Sequence, residues 1–318
     1  MAAFVPEGTF TALVTPMCAD DDRTVDVAAI ERLVAQQLAG GIDGLVACGT
    51  TGEASTLNDA EYDLVVATVV RCAAGRVPVI AGTGSNDTRR TIDTTRRAAA
   101  LGVDAVLVVT PYYNKPTQTG LIQHFQAVAD ATDLPLILYN VPGRTACNLL
   151  PATVAELARH RRIVAVKEAS GSLDQVQEIL TRTQLLESFG VLSGDDALCL
   201  PVYSVGGHGV ISVVSNVAPA LTAALWRDYK AGRVEAAAHG QLALHPLIRT
   251  LFSEPNPQPC KAAMHLLGLM AKELRLPMLT ADDATVAVLR RQMADLGLLP
   301  AVPPGQVAGR PLRPQLTQ

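Results

Sequence analysis

The chain has 318 residues, 49% of them hydrophobic and 18% charged, with a formal net charge of −4. That composition describes a globular protein with a large apolar core and excludes a disordered chain or a basic nucleic-acid-binding surface. No apolar run approaches the ~18 residues of a membrane span, and Met1 to Glu7 lacks the basic and apolar regions of a signal peptide, so a cytoplasmic protein without membrane contact is expected.

Residues 9–15 alternate enough for a first strand, which Pro16 and the acidic turn Asp20-Asp21-Asp22 end. Val27, Ile30, Leu33, Val34 and Leu38 recur at helical spacing, with Thr24 or Asp26 as N-cap and Gly40-Gly41 as the stop. Strands are then expected at 44–48, 77–81, 104–110 and 134–139, with helices over 61–73, 91–101 and 120–131 between and after them. A helix over 151–159 leads to the strand Ile163-Val164-Ala165-Val166-Lys167. Helices over 173–183, 197–205 and 219–229 interleave with strands at 189–192 and 209–213. Eight strand–helix units in about 230 residues give the α/β class and predict a (β/α)8 TIM barrel. Strands stop after residue 230, and helices over 234–249, 260–272 and 282–296 predict a C-terminal three-helix appendage. The expected division is therefore a barrel over 1–230, a helical domain over 231–299 and a Pro- and Gly-rich, frayed tail over 300–318.

The strand before Lys167 is apolar throughout and reads as buried on both faces. A lysine ending such a strand either reaches water or points into a pocket, where desolvation favours the neutral, nucleophilic amine. Such an amine condenses with a carbonyl to a Schiff base. In barrels the active site lies at the carboxyl ends of the strands. Those ends here carry Gly49-Thr50-Thr51-Gly52-Glu53, Tyr112-Tyr113, Tyr139, Arg144, Lys167, Ser193-Gly194-Asp195-Asp196 and Ile211-Ser212.

Weaker readings accompany each element. The 49–53 stretch lacks a Walker lysine and is read as a carboxylate cradle rather than a phosphate loop. For adjacent tyrosines, one inside and one at a contact is expected. Arg144 taken alone reads as a surface charge. Asp195-Asp196 is expected to cap the seventh helix. The six cysteines (18, 48, 72, 147, 199, 260) include no CxxC and read as reduced thiols. No His/Cys/Asp cluster has metal-ligand spacing, so no metal is expected.

Taken together, GTTGE at 49–53, VTPYYN at 109–114, YNVPGRT at 139–145, VKEASG at 166–171, SGDD at 193–196, GGHGVIS at 206–212 and EPNP at 254–257 occur in the order of one family. The chain resembles the dihydrodipicolinate synthases, from about Gly8 to Leu299, within the pyruvate-dependent class I aldolase superfamily that includes N-acetylneuraminate lyase.

The resemblance implies that Lys167 forms the Schiff base with pyruvate and that Thr51 and nearby amides hold the pyruvate carboxylate. Tyr139 would shuttle protons, linked to Thr50 and to Tyr113 from a neighbouring subunit. Arg144 would bind the carboxylate of aspartate semialdehyde, and Gly194 and Ile211 would line the pyruvate pocket. No cofactor is implied, and the usual assembly is a homotetramer, a dimer of dimers. Gly143 stands where some relatives carry serine.

Many members are inhibited by lysine at a subunit interface. The matching positions are Ala54, Ser55, Asp59, Tyr62, Asn86, Arg90 and Tyr112. Sensitive relatives commonly carry histidine at the positions of Asp59 and Tyr62 and glutamate at that of Arg90. Two other readings of the whole chain stand beside this one: a superfamily aldolase or dehydratase taking a different aldehyde, and a non-catalytic keto-acid-binding barrel.

Overall fold

The computed structural model describes residues 4–186 and 188–300. Eight parallel strands close into a barrel in sequence order: β1 Gly8–Ala12, β2 Gly44–Ala47, β3 Val79–Gly82, β4 Ala105–Val109, β5 Leu136–Asn140, β6 Ile163–Glu168, β7 Gly190–Ser193 and β8 Gly209–Ser212. β8 pairs with β1 through Gly8–Gly209 to Thr11–Ser212, which closes the ring. Gly209 is needed there, because a Cβ would lie 2.0 Å from the Gly8 carbonyl oxygen.

The helices that cover the ring are α1 Val27–Ala39, α2 Asp59–Ala73, α3 Thr88–Ala100, α4 Gln118–Asp130, the short α5 Pro142–Thr145, α6 Pro151–Leu157, α7 Leu173–Thr183, α8 Cys199–Ser204 and α9 Pro219–Lys230. Three more follow: α10 Val234–Leu251, α11 Gln258–Leu266 and α12 Asp283–Asp295. The strands are buried on both faces, and alternate residues divide between two cores. Ile80, Leu107, Ile137, Ala165, Leu192 and Ile211 fill the barrel interior, while Leu45, Val108, Leu138, Val166 and Val191 pack outward against the helices. The C-terminal helices share an apolar cluster with the barrel: Leu247, Ala263 and Leu289 pack with Leu33, Val214 and Trp226.

Several helix ends differ from expectation, each for a local reason. α2 starts two residues early because Asn58 and Glu61 form a reciprocal capping box. The segment expected to be helical over 197–205 is split into a 3₁₀ turn, Asp196–Leu198, and α8. α11 stops at Leu266 rather than at residue 272, since Gly268 turns left-handed at φ +72 and its amide returns to the His265 carbonyl. Of the tail expected to be frayed, residues 301–318 lie outside the described residues.

Candidate active site

The period of two along β5 and β6 decides which side chains face the barrel axis. Ile137 and Tyr139 point inward on β5, as do Ala165 and Lys167 on β6, and the register pairs Tyr139 with Lys167. Both sit at the carboxyl end, 7% and 6% exposed. The Lys167 ammonium lies 4.3 Å from the centre of the Tyr139 ring. Gly194, at the end of β7, leaves space for the lysine stem: a Cβ there would lie 3.0 Å from Lys167 Cε and 2.7 Å from Ala169 Cβ. Ile211 completes this wall from β8, in the same interior cluster as Tyr139.

One residue on, the alternation sends Glu168 to the outer face. Its carboxylate is 3% exposed and accepts from Asn140 Nδ2 at 3.0 Å, Gln175 Nε2 at 3.0 Å and the Ser170 amide at 2.7 Å. Asn148 Oδ1 accepts from Asn140 Nδ2 at 2.8 Å and from Gln175 Nε2 at 3.2 Å, closing the network. It ties β5, β6 and α7 directly behind the Tyr139–Lys167 pair. Sequence reading missed it, although both Asn140 and Glu168 stand next to the residues it singled out.

The loop after β2 is a tight turn in which the Gly52 and Glu53 amides donate to the Gly49 and Thr50 carbonyls. Thr50 is exposed and Thr51 is buried, with Asn256 Nδ2 donating to Thr51 Oγ1 at 2.9 Å. Glu53 adopts φ +52, is 4% exposed and forms an ion pair with Lys261 of α11, which is fully buried. Burial lowers the Lys261 pKa, and the Glu53 charge opposes that effect. Lys261 also donates to the Glu273 carbonyl at 2.8 Å. Neither Asn256 nor Lys261 was singled out from sequence for a role at this loop.

Tyr113 projects outward, 87% exposed at φ +75, and Tyr112 is 40% exposed. The expectation that one of the two packs inside is therefore not met, because the chain leaves the barrel wall at Pro111. The Tyr113 amide reaches the Thr145 carbonyl at 3.4 Å, which joins the loops after β4 and β5. Arg144 lies on α5 and is exposed, and a Cβ on neighbouring Gly143 would meet nothing within 4 Å. Asp195 caps the 3₁₀ turn through the Ala197 amide as expected. Asp196 instead is buried and accepts from the Val213 and Val214 amides at 2.9 Å, and its pKa is raised by burial.

Of the residues matching the lysine site, Asp59 and Tyr62 have side-chain partners within the chain. Asp59 is paired with Arg97, and the Tyr62 hydroxyl donates to the Gly82 carbonyl at 3.1 Å. Ser55, Arg90 and Tyr112 are exposed, and Asn86 is half-buried. The cysteines are free, as expected; Cys48, at φ +52 beside the 49–53 turn, is fully buried, and burial pushes its thiol up, which suits a structural role. No group of three His, Cys, Asp or Glu with metal-binding geometry occurs among the described residues. No helix among them is long and apolar enough to cross a membrane.

The family model described as the dihydrodipicolinate synthetase family matches residues 5–295. The 4-hydroxy-tetrahydrodipicolinate synthase of Pelobacter propionicus is 47% identical over 293 residues, 92% of this chain and 99% of its own. The dihydrodipicolinate synthase structure from Thermotoga maritima superposes with a TM-score of 0.90 at 42% identity, covering 92% of this chain and 99% of that one. The structure of the chloride-inhibited Acinetobacter baumannii synthase complexed with pyruvate gives 0.89 at 41% identity, with coverage of 92% and 99%.

Proposed function

The chain belongs to the dihydrodipicolinate synthetase family, and from that premise we propose how its residues carry the family's reaction. The activity is the Schiff-base condensation of pyruvate with L-aspartate 4-semialdehyde to 4-hydroxy-tetrahydrodipicolinate, in lysine and diaminopimelate biosynthesis. The observation that carries the residue-level reading is Lys167, buried at the carboxyl end of β6 beneath the Tyr139 ring.

The Lys167 amine adds to the keto carbon of pyruvate, and loss of water leaves an imine. The imine nitrogen accepts the electron pair released when a methyl proton departs, and the resulting enamine carbon attacks the aldehyde. The new alkoxide takes up a proton. Attack of the second substrate's own amine on the imine carbon closes the ring and returns Lys167. Each of these steps moves a proton beside the Tyr139 phenol, with Thr50 and a partner copy's Tyr113 completing the relay; such transfer contributes typically 10²–10⁴-fold.

Thr51 holds the pyruvate carboxylate, Arg144 the carboxylate of the semialdehyde, and Gly194 and Ile211 shape the pyruvate pocket. The Acinetobacter baumannii relative complexed with pyruvate supports the first substrate. Because the imine itself is the electron sink, the reaction requires no cofactor. The working form is a cytoplasmic homotetramer, a dimer of dimers. The domain division at residue 230 belongs to the same reading.

Borohydride reduction in the presence of pyruvate is expected to add one reduced pyruvyl group, mapped by peptide mass to Lys167. Lys167→Ala is expected to abolish both the adduct and turnover while leaving the melting temperature close to wild type. An adduct on another lysine, or none in active enzyme, overturns the assignment.

A further inference from the structure

Two side chains of the segment that precedes and opens α11 grip two residues of the loop after β2. Asn256 holds Thr51 and Lys261 holds Glu53, five residues apart on one side and two on the other. All four are at least nine-tenths buried. The contact at Thr51 has a direction. Asn256 Nδ2 donates and Thr51 Oγ1 accepts, at 2.9 Å across 205 residues of sequence. Asn256 Oδ1 is buried and has no partner among the described residues, so the amide is held through its nitrogen.

A hydroxyl has one proton to give. Once its oxygen is engaged as an acceptor, that proton is available to another acceptor, and the donated bond is strengthened by the one received. A carboxylate offers acceptors only. We propose that Asn256 is a positioning residue that turns the Thr51 hydroxyl into a dedicated donor to the carboxylate of the keto acid bound at Lys167. This rests on the assignment of Thr51 and Lys167 made above. The buried Lys261–Glu53 pair holds the same turn in the left-handed conformation that Glu53 adopts, so that the Thr51 backbone is fixed while Asn256 sets its side chain.

The distinguishing variant is Asn256→Asp, which keeps the shape of the side chain and reverses its role. A carboxylate there takes the Thr51 proton and adds a negative charge facing the substrate's own. The pyruvate concentration that half-saturates borohydride trapping, and the KM for pyruvate, are expected to rise at least tenfold in Asn256→Asp and by less in Asn256→Ala. The KM for aspartate semialdehyde is expected to stay within about twofold of wild type, since Asn256 acts on the first substrate.

A purely structural role for Asn256 makes Asn256→Ala the more damaging variant and leaves Asn256→Asp near wild type, and that order overturns the proposal. Should Asn256→Asp not fold, the Thr51→Val background decides: adding Asn256→Ala is expected to change pyruvate half-saturation no further, and an additive loss overturns the coupling. Failure of the wild type to trap pyruvate on Lys167 would instead remove the Schiff-base assignment, and the trapping control separates the two.

Discussion

Arg144 sits exposed on α5 with open space around its neighbour Gly143. A guanidinium there can grip a carboxylate in two-point fashion without rearrangement of packed groups. Arg144→Ala is expected to leave pyruvate trapping nearly intact and to lower kcat/KM for aspartate semialdehyde by tenfold at least, since a lost hydrogen bond between charged groups costs about 1.5–3 kcal/mol. Equal activity of variant and wild type would assign the second carboxylate to another group.

Arg90 makes the opposite argument for lysine. Free lysine brings two ammonium groups, and a guanidinium offers five donors and no acceptor. At ~4 Å and an effective dielectric near 20, the attraction lost and the repulsion gained are each of order 4 kcal/mol before solvent relaxes. Asp59, the neighbouring carboxylate that could compensate, is already engaged with Arg97. Half-inhibition by lysine is therefore expected above about 1 mM, and a titration reaching it at lower concentration would place Arg90 outside the site.

Among elements, α3 and α4 meet through a polar contact inside an apolar seam. His124 of α4 shares a proton with Thr88 of α3 at 2.9 Å, packs edge-on against Phe125, and leaves Nε2 buried without a partner among the described residues. Burial lowers its pKa from 6.5 to about 4. Because the folded value is depressed, its contribution to stability is fully present above pH 6.5 and is lost as the pH falls toward 4. The loss is about 3 kcal/mol at the lower limit. Denaturant unfolding at neutral pH and near pH 4 is expected to show His124→Gln losing less stability than wild type over that interval. Parallel losses would mean that His124 titrates normally.

The elements themselves were largely legible from sequence, because a strand buried on both faces is an unbroken apolar run and its covering helix has period 3.6. Lys167 was legible for the same reason: it is the charge that ends such a run. Asn256, Lys261 and the outer network of Glu168 were not. Their meaning lies in partners on other elements, 205 residues away in the case of Asn256 and Thr51, and no local pattern encodes such a pairing. The ends of α2 and α11 were misjudged by a few residues, where a capping box and a left-handed glycine outweighed the apolar period.

For the whole molecule, the most exposed large side chain near the barrel mouth is informative. Tyr113 holds an aromatic ring in solvent at φ +75, a conformation that favours glycine and is uncommon for so large a residue. That arrangement suits a ring meant for a second copy, where it would complete the proton relay. Specific activity is expected to fall sharply on dilution or interface substitution that yields folded monomers, followed by light scattering alongside the assay. Fully active monomers would contradict the shared site.

The grip of the C-terminal segment on the Thr51 turn also sets an order of events during synthesis. All eight strands, ending with β8 Gly209–Ser212, leave the ribosome before Asn256 and Lys261 exist. Until they are made, the carboxylate of Glu53 lacks its cation and the Thr51 hydroxyl lacks the Asn256 amide. The Thr51 turn is thus completed only with the segment that opens α11, and a chain stopped before Asn256 lacks both contacts.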